Sequence, residues 1–264
     1  DCAGTQCVTP ESHRSGQLTI QDAARRVQET GGTVCLTAGA YALEAPVRIT
    51  GARSVRIKGE GPATIISTPG CAFSIENSTA IVIENLGVLS TGKQPAISIS
   101  TGFKITLEDL SVVVANVDSA AAAIALGGSV TALTVRDNLI GAPFGIRALD
   151  RTAPEPQQVL MLTALHIEDN VFICTRQAID LAGTVYHLLG TYIRGNDVVA
   201  CRDAAISLLG SGLSASGAHV EDNTLSVNGP GIQCALNFAW IQGNRVTGTG
   251  TPDRAPRGAG MTLM

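Results

Sequence analysis

Arg147 and Asp180 stand at the same place in two successive copies of a short pattern, Gly-Ile146-Arg-Ala-Leu and Ala-Ile179-Asp-Leu. If the copies stack as neighbouring strands, a guanidinium and a carboxylate meet about 5 Å apart. Close by in the chain lie Asp150, Arg151, Arg176, His187, Arg202 and Asp203. Arginine grips carboxylates in a bidentate fork, which suits an acidic sugar, and two carboxylates together supply the acid and base that glycosidic cleavage requires. On this reading Asp180, Arg147 and Asp203 are the candidate catalytic groups, and Arg176, Arg202, Asp150, Arg151 and His187 the candidate substrate contacts. The plainer reading is a cross-strand salt bridge, which contributes under about 1 kcal/mol when exposed.

What must position these residues is a repeat. Two patterns alternate along the chain at the intervals typical of solenoids. One is apolar, polar, Asp or Gly, then Asn, seen at Asn138, Asn170, Asn196, Asn223 and Asn244, with earlier copies ending in Leu86 and Leu110. The other is a small residue, then Ile, any residue, and Leu or Ile, as at Ile97, Ile124, Ile146, Ile179, Ile206 and Ile232. Both alternate with period two, so both read as short strands with one face inward. The Asp-Asn or Gly-Asn between strands tolerates the left-handed backbone of a tight corner. Strand, corner and strand, repeated, predict a solenoid whose equivalent strands stack about 4.8 Å apart, so that eight coils make a rod of roughly 38 Å.

The alternation also names the outward column of the second pattern: Ser74, Ser98, Ala125, Arg147, Asp180, Ser207 and Gln233. Most are small or neutral, so Arg147 and Asp180 stand out. The segment 150–158, rich in Pro and Gln, lengthens one coil and is either a groove wall or a plain surface loop. Cys174 and Cys201, equally spaced from their isoleucines, are expected to stack on adjacent coils, as free thiols or as a disulfide. Cys2 and Cys7 are close enough in the chain for a local pairing.

Ahead of the coils, Thr19 with Asp22 forms a capping-box pattern. Ile20, Ala23, Ala24 and Val27 share one helical face, and Gly31-Gly32 stop the helix. A helix over about 20 to 30 is therefore predicted to close one end of the stack. The expected organisation is an N-terminal extension over 1–16, the capping helix and first coil over 17–53, and further coils over 54–264. Because Met264 falls within a second-pattern strand, the last coil is expected to be uncapped and to need further residues or a partner chain.

Composition narrows the partners. The 264 residues are 45% hydrophobic and 15% charged, which excludes a disordered chain. The longest apolar run, near 120–126, is far below the roughly 20 residues of a membrane span. A net charge of -4 without a Lys/Arg run argues against nucleic acid. The seven cysteines and four histidines form no zinc-spaced cluster, so no metal or cofactor is expected. Aromatic residues make up only 3% of the chain, which disfavours tight stacking of neutral sugars.

Over residues 17–264 the sequence resembles the pectate-lyase-like right-handed parallel β-helix superfamily. The likeness rests on Thr19-Ile-Gln-Asp-Ala-Ala, on Gly31-Gly-Thr-Val-Cys-Leu-Thr-Ala-Gly-Ala-Tyr41 and on Ser54-Val-Arg-Ile-Lys-Gly-Glu-Gly61. The recurring corner asparagines are similar to that superfamily's asparagine ladder. The resemblance implies an all-β fold, a single-stranded right-handed parallel β-helix of about eight coils with an N-terminal capping helix. It does not fix an activity, because the same scaffold carries lyases, hydrolases, epimerases, adhesion devices and structural modules. The polygalacturonase-like and epimerase-like catalytic signatures are absent, and Arg254-Ala-Pro-Arg257 matches only half of a pectate-lyase-like element. Two functions are thus expected in competition. One is a non-catalytic or weakly glycan-contacting module of a larger extracellular or cell-surface assembly. The other is an enzyme acting on an acidic polysaccharide.

Overall fold

The computed structural model describes residues 4–117, 120–148, 160–181, 185–209, 217–248 and 261–263. They form a parallel β-helix of about eight turns, consistent with the period-two patterns. Each full turn contributes a rung to three sheets. The first sheet carries the Ile-x-Leu copies, and its outward column runs in register from Arg48 through Ser74, Ser98, Ala125, Arg147, Asp180 and Ser207 to Gln233. The second sheet begins at Thr5–Val8 and Gly32–Leu36 and passes through Arg53–Lys58 and Leu160–Glu168 to Gly217–Glu221 and Phe238–Gln242. The third runs from Gly39–Ala42 and Thr64–Thr68 to Asp197–Val199, Thr224–Val227 and Arg245–Gly248. Stacked Ile, Val and Leu side chains fill the space between the three sheets.

Residues ahead of 17 join this stack, since Thr5–Val8 pairs in parallel with Gly32–Leu36. Helix α1 (Pro10–Arg14) follows, and helix α2 (Ile20–Gln28) closes the end, burying Ile20, Ala23, Ala24 and Val27. The Thr19–Asp22 capping box forms, and the Thr19 hydroxyl bond holds the Asp22 carboxyl below its usual range. His13 links the two helices to the first coil. Its Nδ1 accepts the Ile20 amide, which leaves the proton on Nε2 to be donated to the Ala42 carbonyl.

At the corner between the second and third sheets, two adjacent residues divide the work. The left-handed position belongs to the residue before the asparagine: φ is 57° at Asp137, 55° at Asp169 and 54° at Asp222, with Gly195 and Gly243 in the same column. The asparagine itself turns inward and is almost fully buried at 138, 170, 196 and 223. The Oδ1 of Asn170 accepts both the backbone N–H and the Nδ2 of Asn138, at 3.1 and 2.8 Å. The same pair of bonds joins Asn170 to Asn196, Asn196 to Asn223, and Asn223 to Asn244. Each Nδ2 from Asn138 to Asn223 also reaches a main-chain carbonyl of a preceding coil, at Leu107, Val135, Ile167 and Ile193. The stack ends where Asn138 accepts the Leu110 amide, because Leu110 and Leu86 fill that position with apolar side chains.

The outer face of the second sheet carries a ladder of charges. Arg56 holds Glu84 at 2.8 Å, Arg136 holds Glu108 at 2.8 Å, and Arg194 holds Glu168 at 3.5 Å. Beside it, His166, Tyr192 and His219 stack ring on ring at 5.0 and 4.8 Å, and each histidine Nδ1 lies 3.3 Å from a glutamate of the ladder. Burial works to raise the Glu108 carboxyl, but the Arg136 hydrogen bonds, the bond shared with Glu84 and the charges of Arg136 and Arg56 outweigh it and leave it below its ordinary value.

Three tests follow. Asn196→Ala leaves the buried Asn170 amide without an acceptor and removes the bonds of the Asn196 side chain to the Ile167 carbonyl and to Asn223, and a loss of about 3 kcal/mol is expected in equilibrium denaturation. Thr191→Val removes a buried hydroxyl that has no hydrogen-bond partner, and a gain of about 1 kcal/mol is expected. For Glu108, a lowered folded value means that its stabilisation is fully present above the unfolded value and is lost as pH falls through the folded one. Thermal midpoints measured down the acid limb should therefore fall more steeply in the parent than in Glu108→Gln.

Candidate functional site

The first sheet brings Arg147 and Asp180 together as expected, in register on successive coils, with Nε 3.1 Å from Oδ2. Asp180 is only 8% exposed, and Ser207 and Ala125 in the same column are buried too, so the face is not an open groove at these coils. The Arg147 Nη1 also donates to the Ala120 carbonyl at 3.3 Å. Arg176 and Asp203 repeat the arrangement three residues ahead of their isoleucines, with Nε 3.0 Å from Oδ2. Arg202 lies 3.8 Å from the other Asp203 oxygen and is largely exposed.

These two pairs meet on a residue that the sequence alone did not single out. The Arg147 guanidinium lies 4.1 Å from the centre of the Phe144 ring, and that of Arg176 lies 4.7 Å from it. Phe144 is buried, but apart from the main apolar core. The two strands fall out of step here, with two residues from Ala142 to Phe144 against three from Cys174 to Gln177, so the extra residue lies in the next coil, in the stretch that carries Arg176. The available signal was Pro143-Phe144 immediately before Gly145-Ile146, where the following coils carry Arg176-Gln177 and Asp203-Ala204. A cation held over a desolvated ring gains about 2 kcal/mol, and here one ring serves two arginines.

The remaining candidates fall elsewhere. His187 lies on the second sheet, in register with Met161, rather than in the column of Asp180. Asp150 and Arg151, the rest of the 150–158 segment, Cys2, Arg254 and Arg257 lie outside the described residues. Cys174 and Cys201 are buried free thiols. Burial raises both, Cys201 to about 12, so neither is a nucleophile at neutral pH. Among the described residues no cluster of His, Cys, Asp and Glu could hold a metal ion, and no helix is long and apolar enough to cross a membrane.

Chemically the patch is a closed electrostatic unit. Both carboxylates hold a guanidinium, both guanidiniums cover one phenyl ring, and Arg202 supplies the exposed positive charge at its edge. Anion contact at Arg202 is within its means. Proton transfer by Asp180 or Asp203 would first require a salt bridge to open.

The chain has a parallel β-helix fold that solved structures share. An alginate lyase from Paenibacillus sp. superposes over 98% of this chain and 98% of its own, with a TM-score of 0.55 and 12% identity. A pectate lyase from Xanthomonas campestris is similar over 95% of this chain and 81% of its own, at a TM-score of 0.46 and 15% identity. The ORF18 protein of Geobacillus virus E2 is similar over 93% of this chain, at a TM-score of 0.45 and 14% identity, and this chain spans 58% of its length. No protein-family model matches the sequence, and no curated protein matches it.

If Phe144 is the platform for both ion pairs, Phe144→Ala should cost about 3 kcal/mol in denaturation. It should also release both arginines, so that proteolysis near Arg147 and Arg176 accelerates, whereas Phe144→Tyr leaves both readouts near the parent values.

Proposed function

We propose that this chain is a non-catalytic, at most weakly glycan-contacting β-helix module of a larger extracellular or cell-surface protein or assembly. The observation that carries the reading is the closure of the patch on the first sheet. Asp180 is tied to Arg147, Asp203 is tied to Arg176, and both arginines are held on Phe144. A general acid must reach the leaving-group oxygen, and a general base must reach its proton. Here the carboxylates of the patch are occupied by guanidiniums, and the buried face around Asp180 leaves little room for a sugar. The long, uniformly stacked body suits a rigid spacer, with Arg202 and the ladder on the second sheet as polar contacts for an acidic glycan.

A second reading, cleavage of an acidic polysaccharide, draws on the fold shared with an alginate lyase. Under it, Arg147, Arg176 and Arg202 bind uronate carboxylates, with Asp150, Arg151 and His187 as further contacts, while Asp180 and Asp203 exchange the proton. An extracellular address fits either reading.

The test is to incubate the purified chain with alginate, pectin and related uronate polymers, following ultraviolet absorbance for unsaturated products and reducing ends for hydrolysis. No turnover above a heat-denatured control is expected. Turnover that disappears in Asp180→Asn, with the thermal midpoint kept, would replace the first reading with the second.

A further inference from the structure

The third sheet carries half of the exposed large hydrophobic side chains among the described residues: Ile65, Leu89, Val113, Leu139, Val171, Ile173 and Val199. Its outward positions form two columns, because each strand there is short. One column descends through Ile65, Gly87, Ser111 and Leu139, and the other, two residues further along each strand, through Ser67, Leu89, Val113 and Gly141. No charge interrupts either column before Asp197, two coils below Leu139. The second sheet, by contrast, has a charged residue on its outer face at nearly every coil. Contiguous exposed apolar surface of this extent marks an interaction site.

The order of sizes says what fits there. Each of four successive coils offers one large and one small residue, and the large one changes column: Ile65 with Ser67, Leu89 with Gly87, Val113 with Ser111, Leu139 with Gly141. A two-fold axis parallel to the rod, midway between two such faces, lays the first column of one copy over the second column of the other at the same level. Ile65 then faces the second copy's Ser67, Leu89 its Gly87, Val113 its Ser111 and Leu139 its Gly141. The contacts are reciprocal, as a two-fold interface demands, and the coil spacing of the two faces is identical by construction. The same operation keeps apart the acidic corner columns of Asp109, Asp137 and Asp169, since these border the first column only.

We propose that the third sheet is the interface of a parallel, two-fold dimer of this chain, packed sheet on sheet with each large aliphatic side chain over a small residue of the other copy. The apolar area these side chains expose falls below the ~800 Å² per partner of a stable complex, so a weak, concentration-dependent association is expected. Val171 and Ile173, large at the same level, end the close contact, and Asp197 beneath them bounds it.

Sedimentation velocity with light scattering across a micromolar concentration series tests this. The mass should rise from the 27.1 kDa of one chain to twice that value and no further. Val113→Lys should weaken the association at least about tenfold. The decisive variant is Gly141→Val. A Cβ there meets only a Val113 methyl, at 3.9 Å, so the single chain accommodates it and its thermal midpoint should hold. It enlarges the apolar surface yet fills the hollow under Leu139 of the second copy, so association should weaken at least about tenfold. A single-chain mass at every concentration would overturn the proposal, as would association that Gly141→Val leaves unchanged or tightens. Loss of association on Trp240→Ser but not on Val113→Lys would move the interface to the second sheet and overturn it equally.

Discussion

The asparagine stack is the constraint on which the rest of the lower coils depends. The inward turn between the second and third sheets buries main-chain amides where no strand partner reaches them, and an unpartnered buried amide costs about 1–3 kcal/mol. Asn138, Asn170, Asn196 and Asn223 each take that role for a neighbouring coil, and each is in turn satisfied by the next. The bonds close only when successive corners lie directly above one another. Register is therefore set coil by coil, and with it the identity of every vertical neighbour on all three outer faces. In the upper coils, Leu86 and Leu110 take the place of asparagine and apolar packing fills the corner.

Once register is fixed, stacking like on like becomes a problem for charges and an asset for apolar groups. Two glutamates in one column, Glu84 over Glu108, are tolerated because Arg56 and Lys58 lie at one and Arg136 at the other. Further down the column sign alternates, with Glu168, Arg194 and Glu221 in succession. The three faces have consequently acquired different characters. The first holds small residues and two closed ion pairs, the second an ion-pair ladder beside stacked rings, and the third an uncharged apolar surface.

Much of this was legible in the sequence because a period of two and a repeated landmark are enough to assign inward and outward positions. Counting one residue past each isoleucine gives the column from Ser74 to Gln233, and the structure holds those residues in register. The Thr19–Asp22 cap was equally local. Phe144 was not legible as a platform, because a count along the strand does not tell that arginines of its own coil and the next fold over the ring. The Arg176–Asp203 pair was within reach, since both lie three residues before an isoleucine, but it sits outside the regular strand core. The second-sheet ladder needed the offset of each strand from its corner, which varies with loop length. His187 shows the same difficulty from the other side: it is near Asp180 in the chain, yet it lies on another sheet.

That vertical complementarity bears on chemistry as well as on stability. A catalytic carboxylate needs an environment that withholds its natural partner, through burial without a cation or crowding by another acid. A solenoid that repeats its turns does the reverse, since any charge placed on a column meets the residue one coil away at strand spacing, where an opposite charge is favoured. Arg147 with Asp180 and Arg176 with Asp203 are two such pairs on the first sheet. An active site on such a scaffold has to come from a break in the repeat, either a long loop that lowers a charge onto the face or a column in which two acids adjoin. On the strand faces Glu84 and Glu108 adjoin in this way, and there Arg56, Lys58 and Arg136 lie against them. The regularity of the repeat is thus the physical reason Asp180, Asp203, Glu84 and Glu108 each meet a guanidinium one coil away.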